Sequence, residues 1–512
     1  MRQPGRPVVG HGYSLPVPQP DARDLTRPGT LDPRQRARDL DRLAEHGVDV
    51  LVVGGGVTGA GIALDAAARG LTVALCERAD LAAGTSRWPS TLGAGLRRPA
   101  RGQVGAARQR ARERAVLMRV TAPHLVRRLP FLVPDVAGRD VSALAELGGR
   151  LGDAVRVSVR GGRGSLPGTG RVGAEGVGRL LPAVRPGRGG VVSWAGQLED
   201  DARLVVALAR TAAAFGARVL TGVTVTGVDG GTVELSADGT TVAVRAEAVV
   251  NAAGVAVQRL APGVDLVPLR RTHLVVPAAR LGRPIAALAV PLPGSRSRYV
   301  VALPQPGGLV HLGVTDEPVG GPVPEEVPAP GDAEVGRLLA AVNAVLSVPL
   351  QPSDVVGAFA GLHPGPADPS GRPVPSWDGS VLTVAGGELT THRATAAEAV
   401  DAVVDRLGRG ARRSPTARLP LVGAAPERVL ARVDAPARLV HRYGTEAPVV
   451  AALGDELVVE GREETVGELR FAVRFEGART VADLLDRRTR IGLVTPDRER
   501  AVAVAGAVLT EV

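Results

Sequence analysis

The pattern of apolar and polar positions predicts a chain that alternates between strands and helices. The apolar run at residues 48–53, VDVLVV, is typical of a strand buried on both faces, and it stops abruptly at glycine. Ahead of it, Asp32 and Pro33 suit the N-cap and first turn of a helix that extends to about Glu45. This alternation indicates an α/β fold.

The same pattern predicts elements along the rest of the chain. They are a helix over 102–128, a basic loop over 161–190, a helix from Asp200, strands over 218–228, 232–235 and 246–254, several short strands between 266 and 317, and a strand, glycine turn and helix over 381–404. Residues 1–30 are rich in proline, glycine and arginine without apolar periodicity, which is typical of a disordered tail. We therefore expect a tail over 1–30, an α/β region over 31–405 and a C-terminal helical domain over 414–512.

Composition narrows the class of protein only slightly. The 512 residues exceed what one hydrophobic core usually supports, so two or more domains are expected. The formal net charge is +10. All of its positive charges come from arginine, because the chain contains no lysine. Such a bias is typical of a GC-rich coding sequence, although the charge also suits an anionic substrate or an acidic membrane surface.

Several kinds of site are not expected. The single cysteine, Cys76, excludes intrachain disulfides, and the sequence has no Cys/His cluster that would indicate a metal site. The arginine runs lack interleaved aromatic residues, so nucleic-acid binding is not expected. No apolar run approaches the ~20 residues of a spanning helix. We predict a cytoplasmic protein, or one bound peripherally to the inner face of the cell membrane.

The strongest chemical signal is the segment DVLVVGGGVTGAGIALDAAARGLTVALCE at residues 49–77. Gly54, Gly56 and Gly59 form a G-x-G-x-x-G pattern between a strand and a helix, where glycines permit a tight turn, close approach to a pyrophosphate and helix–sheet contact. The N-terminus of the helix then offers N–H groups to the phosphates. Glu77, about 20 residues further on, can accept the ribose hydroxyls, and its charge disfavours NADP. This segment predicts a dinucleotide site.

Two later segments favour FAD over NAD. VVNAAG at residues 249–254 predicts a strand and a turn of small residues, with Ala253 and Gly254 as cofactor contacts. TVAGGELTTH at residues 383–392 predicts a glycine turn at a helix N-terminus, which suits the flavin end of an extended cofactor. The contacts expected there are Gly387, Leu389 and Thr390.

The sequence resembles the FAD-dependent glycerol-3-phosphate dehydrogenases, a family of DAO-type flavoprotein oxidoreductases, over nearly all of its expected folded length. The blocks GTSR, TAPHLVRRLPFLVP, DDARLVVALARTAA, VVNAAG, THLVV, FAGLHP and GGELTTHR occur in the family's order. The resemblance implies a Rossmann-like FAD-binding domain of the glutathione-reductase type, an interleaved mixed-sheet substrate domain and a C-terminal helical domain. It also implies that Thr85, Ser86 and Val225 contact FAD.

The resemblance further implies an activity. Family members transfer hydride from C2 of glycerol 3-phosphate to the flavin, and electrons usually pass to quinone at the membrane. His273 matches a histidine that borders the family's substrate site, where a neutral imidazole can accept the C2 hydroxyl proton. The alternative is that His273 forms a hydrogen bond within a sheet and has no catalytic role. Arg97, which is retained, and His363 complete the residues expected at the substrate.

The departures from the family pattern lie where substrate is expected to bind. Ser90, Gly93 and Arg98 stand where the family has lysine, histidine and tyrosine, His363 replaces an arginine, and Glu388 replaces a lysine. A unit-charge reversal about 4 Å from a phosphate is worth several kcal/mol at an effective dielectric of roughly 20. We therefore expect weakened binding of a phosphate unless Arg97 and Arg98, or a protonated His363, supply the missing cation.

Three functions stay open at this point. They are oxidation of glycerol 3-phosphate, oxidation of another small hydroxy or amino compound by a paralogue, and a flavin-binding scaffold without catalysis. The partner expected for the first two is a small-molecule substrate, anionic in the first case. The oligomeric state does not follow from the sequence.

Overall fold

The computed structural model describes residues 29–85, 91–92, 104–135, 141–159, 162, 164–292, 299–313, 317–320, 323–324, 329–365, 375–410 and 413–511. The predicted disordered tail lies outside this part of the chain, apart from its last two residues.

Helices occur throughout the described chain. They are α1 (Pro33–His46), α2 (Val57–Ala68), α3 (Val104–Val116), α4 (Val141–Ser158), α5 (Ala174–Leu180), α6 (Asp201–Ala214), α7 (Asp332–Asn343), α8 (His392–Leu407), α9 (Glu427–Leu430), α10 (Ala437–Tyr443), α11 (Ala447–Ala451), α12 (Val466–Glu476) and α13 (Thr495–Thr510). None of the described helices is both long enough and apolar enough to cross a bilayer.

The strands lie between residues 48 and 383. They are β1 (Val48–Val53), β2 (Val73–Glu77), β3 (Thr91–Leu92), β4 (Val126–Pro134), β5 (Gly170–Val172), β6 (Gly190–Leu198), β7 (Arg218–Thr221), β8 (Val223–Asp229), β9 (Thr232–Ala237), β10 (Thr240–Asn251), β11 (Pro268–Pro277), β12 (Ala287–Pro291), β13 (Tyr299–Gln305), β14 (Leu309–Gly313), β15 (Glu317–Pro318), β16 (Gly357–Pro364), β17 (Ser376–Asp378) and β18 (Val381–Thr383).

The first sheet has the strand order β17-β18-β10-β1-β2-β7, and the hairpin β8–β9 extends it by pairing with β10. Strands β18, β10, β1, β2 and β7 run parallel, so their carboxyl ends meet at one edge. One face of this sheet packs against α2, α6 and α8, whereas α1 and the hairpin cover the other. Because both faces are covered, its strands are almost continuously apolar.

The second sheet has the strand order β15-β11-β14-β13-β12-β4-β6-β3, with β16 paired to β11 and β5 paired to β6. It is mixed, since β12 and β4 run parallel while the other pairs are antiparallel. Its strands come from two insertions into the first sheet, one between β2 and β7 and one between β10 and β18. Helices α5 and α7 cover one of its faces. This confirms the predicted α/β fold with a Rossmann-like domain, a mixed sheet and C-terminal helices.

Most predicted elements are present, and two predictions were wrong. Asp32 and Asp200 cap α1 and α6 by accepting the N–H groups of Gln35 and Ala202. The helix expected over 102–128, however, ends in a π-helical turn at Leu117–Thr121, and β4 begins at Val126. Pro123 breaks the helix, and the apolar run after it pairs along its length with β6. The loop expected over 161–190 contains β5 and α5.

The C-terminal helices are joined to the α/β region by buried ion pairs. Asp80, just after β2, accepts hydrogen bonds from Arg487 and Arg488 at 2.7–2.9 Å, and the Arg488 side chain is fully buried. Burial alone would lower the pKa of the Arg488 guanidinium, but Asp80 and Glu476 hold it above its ordinary value. The exact boundary of the C-terminal domain, predicted near residues 405–414, stays a prediction.

We predict that Asp80→Asn destabilises the protein by about 3 kcal/mol, because it leaves the buried charge of Arg488 without its closest partner. Urea denaturation followed by far-UV circular dichroism measures the change. Asp238→Asn is the matched control, since Asp238 pairs with Arg36 and Arg479 at the surface and its loss should cost less than about 1 kcal/mol. Equal losses in the two variants would contradict the prediction.

Candidate functional site

Three turns of the chain meet at the carboxyl edge of the parallel sheet. Val53 of β1 lies level with Asn251 of β10, and Asn251 lies level with Thr383 of β18. The next residue of each strand continues this alignment, as the N–H groups of Ala252 and Val384 donate to the neighbouring strand at 2.9 Å. The glycine turn after β1, the small-residue turn after β10 and the late glycine turn after β18 therefore lie side by side. In open α/β sheets, ligands bind at this edge.

The first glycine turn is built from residues that leave no room for side chains. Gly54 has φ +110°, and a Cβ there would lie 2.6 Å from the carbonyl oxygen of Ala252. A Cβ at Gly59 would overlap the carbonyl oxygen of Gly54. Gly56 directly precedes α2, at the N-terminus of the helix. Two of the three predicted glycines are thus required by contacts within the chain itself.

Glu77 lies at the end of β2, next to this turn. Its carboxylate accepts the N–H of Gly55 at 2.7 Å and that of Ala79 at 2.9 Å. Burial raises the pKa of the Glu77 carboxyl, and these two hydrogen bonds oppose that effect. A carboxylate has further lone pairs with which to accept ribose hydroxyls. Gly55 was missed in the sequence, although a Cβ there would lie 2.9 Å from the Cβ of Glu77.

The second turn is held by the amide of Asn251. This buried side chain donates to the carbonyl of Val257 at 2.9 Å and accepts the N–H of Ala253 at 3.4 Å. Gly254 follows with φ +60°. Val225, the predicted contact on β8, lies where the pairing of β8 with β9 is interrupted by a bulge. The sequence predicted a turn at VVNAAG but did not indicate that the side chain of Asn251 holds this turn.

The third turn contains Gly386 and Gly387, with φ +82° and +108°. Leu389 and Thr390 follow in a 3-10 turn, and Thr390 is buried. His392 then opens α8, with its Nδ1 2.8 Å from the Leu389 carbonyl oxygen. A Cβ at Gly61 of α2 would lie 3.4 Å from the His392 ring, so the helices that follow the two glycine turns are in close contact.

Together these turns fit an extended dinucleotide. The backbone at residues 54–56 is free of side chains, the Glu77 carboxylate lies beside it, and two helix N-termini open at the same edge. Thr85 links this edge to the second sheet, because its hydroxyl donates to the Leu362 carbonyl of β16 at 2.8 Å. Ser86, the other contact predicted in the same loop, lies outside the described residues.

The face of the second sheet opposite α7 carries His273. Its ring stacks on Phe359 with centroids 5.3 Å apart, and His311 meets the same phenyl edge-on at 5.6 Å. Glycine is required at position 313, since a Cβ there would overlap the His273 ring. Burial lowers the pKa of His311 well below its ordinary value, with Arg490 and His273 acting in the same direction. His311 was not singled out in the sequence.

Of the three predicted catalytic residues, the structure describes His273 and His363, and it does not place these two side by side. His273 pairs with Phe359, whereas His363 lies four residues further along β16, opposite Leu269. That separation is about 13 Å along the strand, although both positions belong to the same face. Arg97 lies outside the described residues, as do Ser90, Gly93 and Arg98.

Glu388 has an ion-pair partner that the sequence did not indicate. Arg110 of α3 donates to both of its carboxylate oxygens, at 2.6 and 2.7 Å. Local sequence carried no signal for this pair, because its members lie 278 residues apart.

Comparison with known proteins agrees with this architecture. Residues 49–402 match the family model described as FAD dependent oxidoreductase, and residues 414–511 match that of the C-terminal domain of alpha-glycerophosphate oxidase. The chain is 45% identical to glycerol-3-phosphate dehydrogenase 1 of Mycobacterium tuberculosis over 93% of its own length and 97% of that protein. It is 33% identical to glycerol-3-phosphate dehydrogenase of Mycobacterium leprae, covering 95% and 88% of the two chains.

A solved structure supports the same assignment. The FAD complex of glycerol-3-phosphate dehydrogenase from Bacillus halodurans superimposes with a TM-score of 0.70 at 26% identity, covering 93% of this chain and 94% of that one. The fold, the paired domain matches and the identity over nearly the whole length agree. The chain therefore belongs to the FAD-dependent oxidoreductases, in the family of the glycerol-3-phosphate dehydrogenases.

Proposed function

We propose that this enzyme oxidises glycerol 3-phosphate to dihydroxyacetone phosphate. The observation that carries the proposal is that the turns after β1, β10 and β18, which we call the cofactor turns, share one sheet edge. The hydrogen bond from Thr85 to Leu362 joins this edge to β16, which pairs with β11, the strand of His273. The relatives that match along nearly the whole chain carry the name of the same activity.

We propose that FAD lies along the carboxyl edge of the first sheet. The residues that would hold it are Gly54, Gly56, Gly59, Glu77, Thr85, Ser86, Val225, Ala253, Gly254, Gly387, Leu389 and Thr390. The first glycine turn and the N-terminus of α2 would take the pyrophosphate, and Glu77 the adenosine ribose. The late glycine turn would take the flavin end. When bound, FAD supplies the hydride acceptor for the substrate's C2.

The chain's own residues would handle the proton and the charge of the substrate. The His273 ring stacks on Phe359 and fills the space that Gly313 leaves by having no side chain. From there a neutral imidazole can accept the C2 hydroxyl proton. His363 lies four residues from His273 in the register of β16 and β11, so the two side chains would contact different atoms of the substrate. His363, with Arg97, would then serve the phosphate end.

We further propose quinone as the electron acceptor, with the protein held against anionic lipid. Helix α4 exposes Leu147, Leu151 and Val157, each at least 40% accessible. The neighbouring α3 exposes Arg108 and Arg112. Apolar side chains beside arginines suit the interface of an anionic bilayer, where each arginine near the surface contributes about 1 kcal/mol before screening.

The cofactor proposal predicts that purified protein carries noncovalent FAD and that Gly56→Leu yields protein without flavin, because a side chain there blocks the pyrophosphate. Flavin absorbance after heat release measures occupancy. Gly178→Ala is the control, since space around that helical glycine is open and the variant should retain FAD. A folded wild-type protein that stays colourless when FAD is added would refute the proposal.

The substrate proposal predicts that glycerol 3-phosphate bleaches the flavin under anaerobic conditions. His273→Asn should slow bleaching at least 100-fold, the size expected for loss of a general base. A panel of other small hydroxy and amino compounds is tested in parallel. Bleaching by one of them instead of glycerol 3-phosphate identifies a paralogue with another substrate, and no bleaching by any of them identifies a scaffold without catalysis.

The membrane proposal predicts cosedimentation with vesicles of anionic lipid at low salt and release at high salt, as screening shortens the Debye length. Leu147→Ser with Leu151→Ser should weaken binding about tenfold. Ile285→Ser with Val348→Ser is the matched control, because those residues are exposed apolar side chains elsewhere on the surface. A wild-type protein that stays in the supernatant at both salt concentrations would contradict the proposal.

A further inference from the structure

Two ion pairs of opposite polarity connect α3 to the start of α8. Arg110 of α3 makes a bidentate contact with Glu388, through Nε and Nη2, at 2.6 and 2.7 Å. One turn later on α3, Glu113 accepts the same two donors from Arg393 of α8, both at 2.6 Å. The helix is thus attached to the segment after the late glycine turn at two points.

The two pairs differ in their access to water. The side chains of Glu113 and Arg393 are only 3% and 16% exposed, so this pair is part of the interior. Those of Arg110 and Glu388 are 34% and 43% exposed. An exposed ion pair contributes little net stability, because water solvates each partner well when they separate. We call Arg110–Glu388 the outer pair and Glu113–Arg393 the inner pair. The outer pair can therefore open while the inner pair keeps α3 in place.

The outer pair lies beside the late glycine turn. Glu388 directly follows Gly387 and precedes the turn that opens α8, at the sheet edge where the cofactor turns meet. A Cβ at Gly386 would meet open space, so the backbone beside Glu388 leaves a free approach. A small anion that enters along this edge would meet the Arg110 guanidinium, which is bound to the Glu388 carboxylate.

The chemistry of the guanidinium favours exchange of one anion for another. Its planar donors fit a phosphate as well as a carboxylate, and a phosphate dianion brings a larger charge to the same donors. The displaced Glu388 side chain, already 43% exposed, would return to water. A neutral polyol could not make this exchange, since it offers no charge to replace the carboxylate.

We propose that Arg110 binds the anionic group of the substrate and that Glu388 is its built-in competitor, displaced when the substrate enters. This inference rests on the proposed function for the identity of the substrate. It makes Arg110 a specificity-determining residue, and it gives Glu388 the role of weakening the affinity for phosphate in general.

The test measures inorganic phosphate binding to the FAD-loaded protein by isothermal titration calorimetry, together with kcat and KM for glycerol 3-phosphate. Glu388→Gln should bind phosphate at least threefold more tightly and lower KM similarly, because the competitor is gone. Arg110→Gln should weaken phosphate binding at least tenfold. The double variant should match Arg110→Gln within twofold.

The matched control is the pair Arg470–Glu511, which has the same bidentate geometry, at 2.8 and 3.0 Å, and similar exposure on the C-terminal helices. Glu511→Gln and Arg470→Gln make the same charge changes and should leave phosphate binding unaltered. Should Arg110→Gln lose its flavin, Arg110→Lys replaces it, since lysine keeps the charge but loses the bidentate contact, and it should weaken phosphate binding at least threefold.

Unchanged or weaker phosphate binding in Glu388→Gln overturns the inference. The same holds if Glu511→Gln tightens binding equally, because the effect would then be one of net charge. If wild-type flavin is reduced by glycerol 3-phosphate and Glu388→Gln does not tighten phosphate, the inference fails and the proposed function stands. If the flavin is not reduced but Glu388→Gln tightens phosphate, the anion site stands and the proposed substrate fails.

Discussion

The structure depends on the level alignment of three parallel strands at one edge of the first sheet. Val53, Asn251 and Thr383 occupy adjacent positions in β1, β10 and β18, so the chain leaves all three strands at the same height. The resulting turns are close enough that Gly54 has no space for a Cβ against the carbonyl of Ala252. The need for glycine therefore arises from backbone meeting backbone, before any ligand is considered.

This alignment also determines where the second sheet can lie. The two insertions that build it leave from the ends of β2 and β10, which are both at the carboxyl edge. A sheet made from such insertions stands over that edge, and the Thr85 hydrogen bond to β16 joins it to the loop after Glu77. The three turns and the second sheet come together because of the order in which the strands are connected.

Arginine carries every permanent side-chain positive charge in this chain, and much of it is neutralised inside the fold. Arg488 is fully buried against Asp80, just after β2, and Arg210 of α6 donates to Glu446 near the C-terminal helices. Bidentate contacts of this kind suit a planar guanidinium better than an ammonium group. The outer pair of Arg110 and Glu388 uses the same geometry at the site, where it stays accessible to solvent and is available for exchange.

The sequence by itself determined the features that depend on neighbouring residues. The caps at Asp32 and Asp200, the apolar strand before Gly54 and the spacing from there to Glu77 act over a few residues or within one βαβ unit. They were enough to predict the α/β fold and a dinucleotide site, while the later segments at 249–254 and 383–392 favoured FAD and the ordered sequence blocks indicated the family. The tertiary structure decided everything that depends on pairing across the chain.

Thus the segment from Val126 became a strand because β6 is available to pair with it, and His273 and His363 were separated by the register of β11 and β16. Glu388 found its partner on a helix 278 residues earlier. Such contacts leave no periodic or local trace in the sequence, because the two residues become neighbours only when the insertions fold back onto the edge of the first sheet.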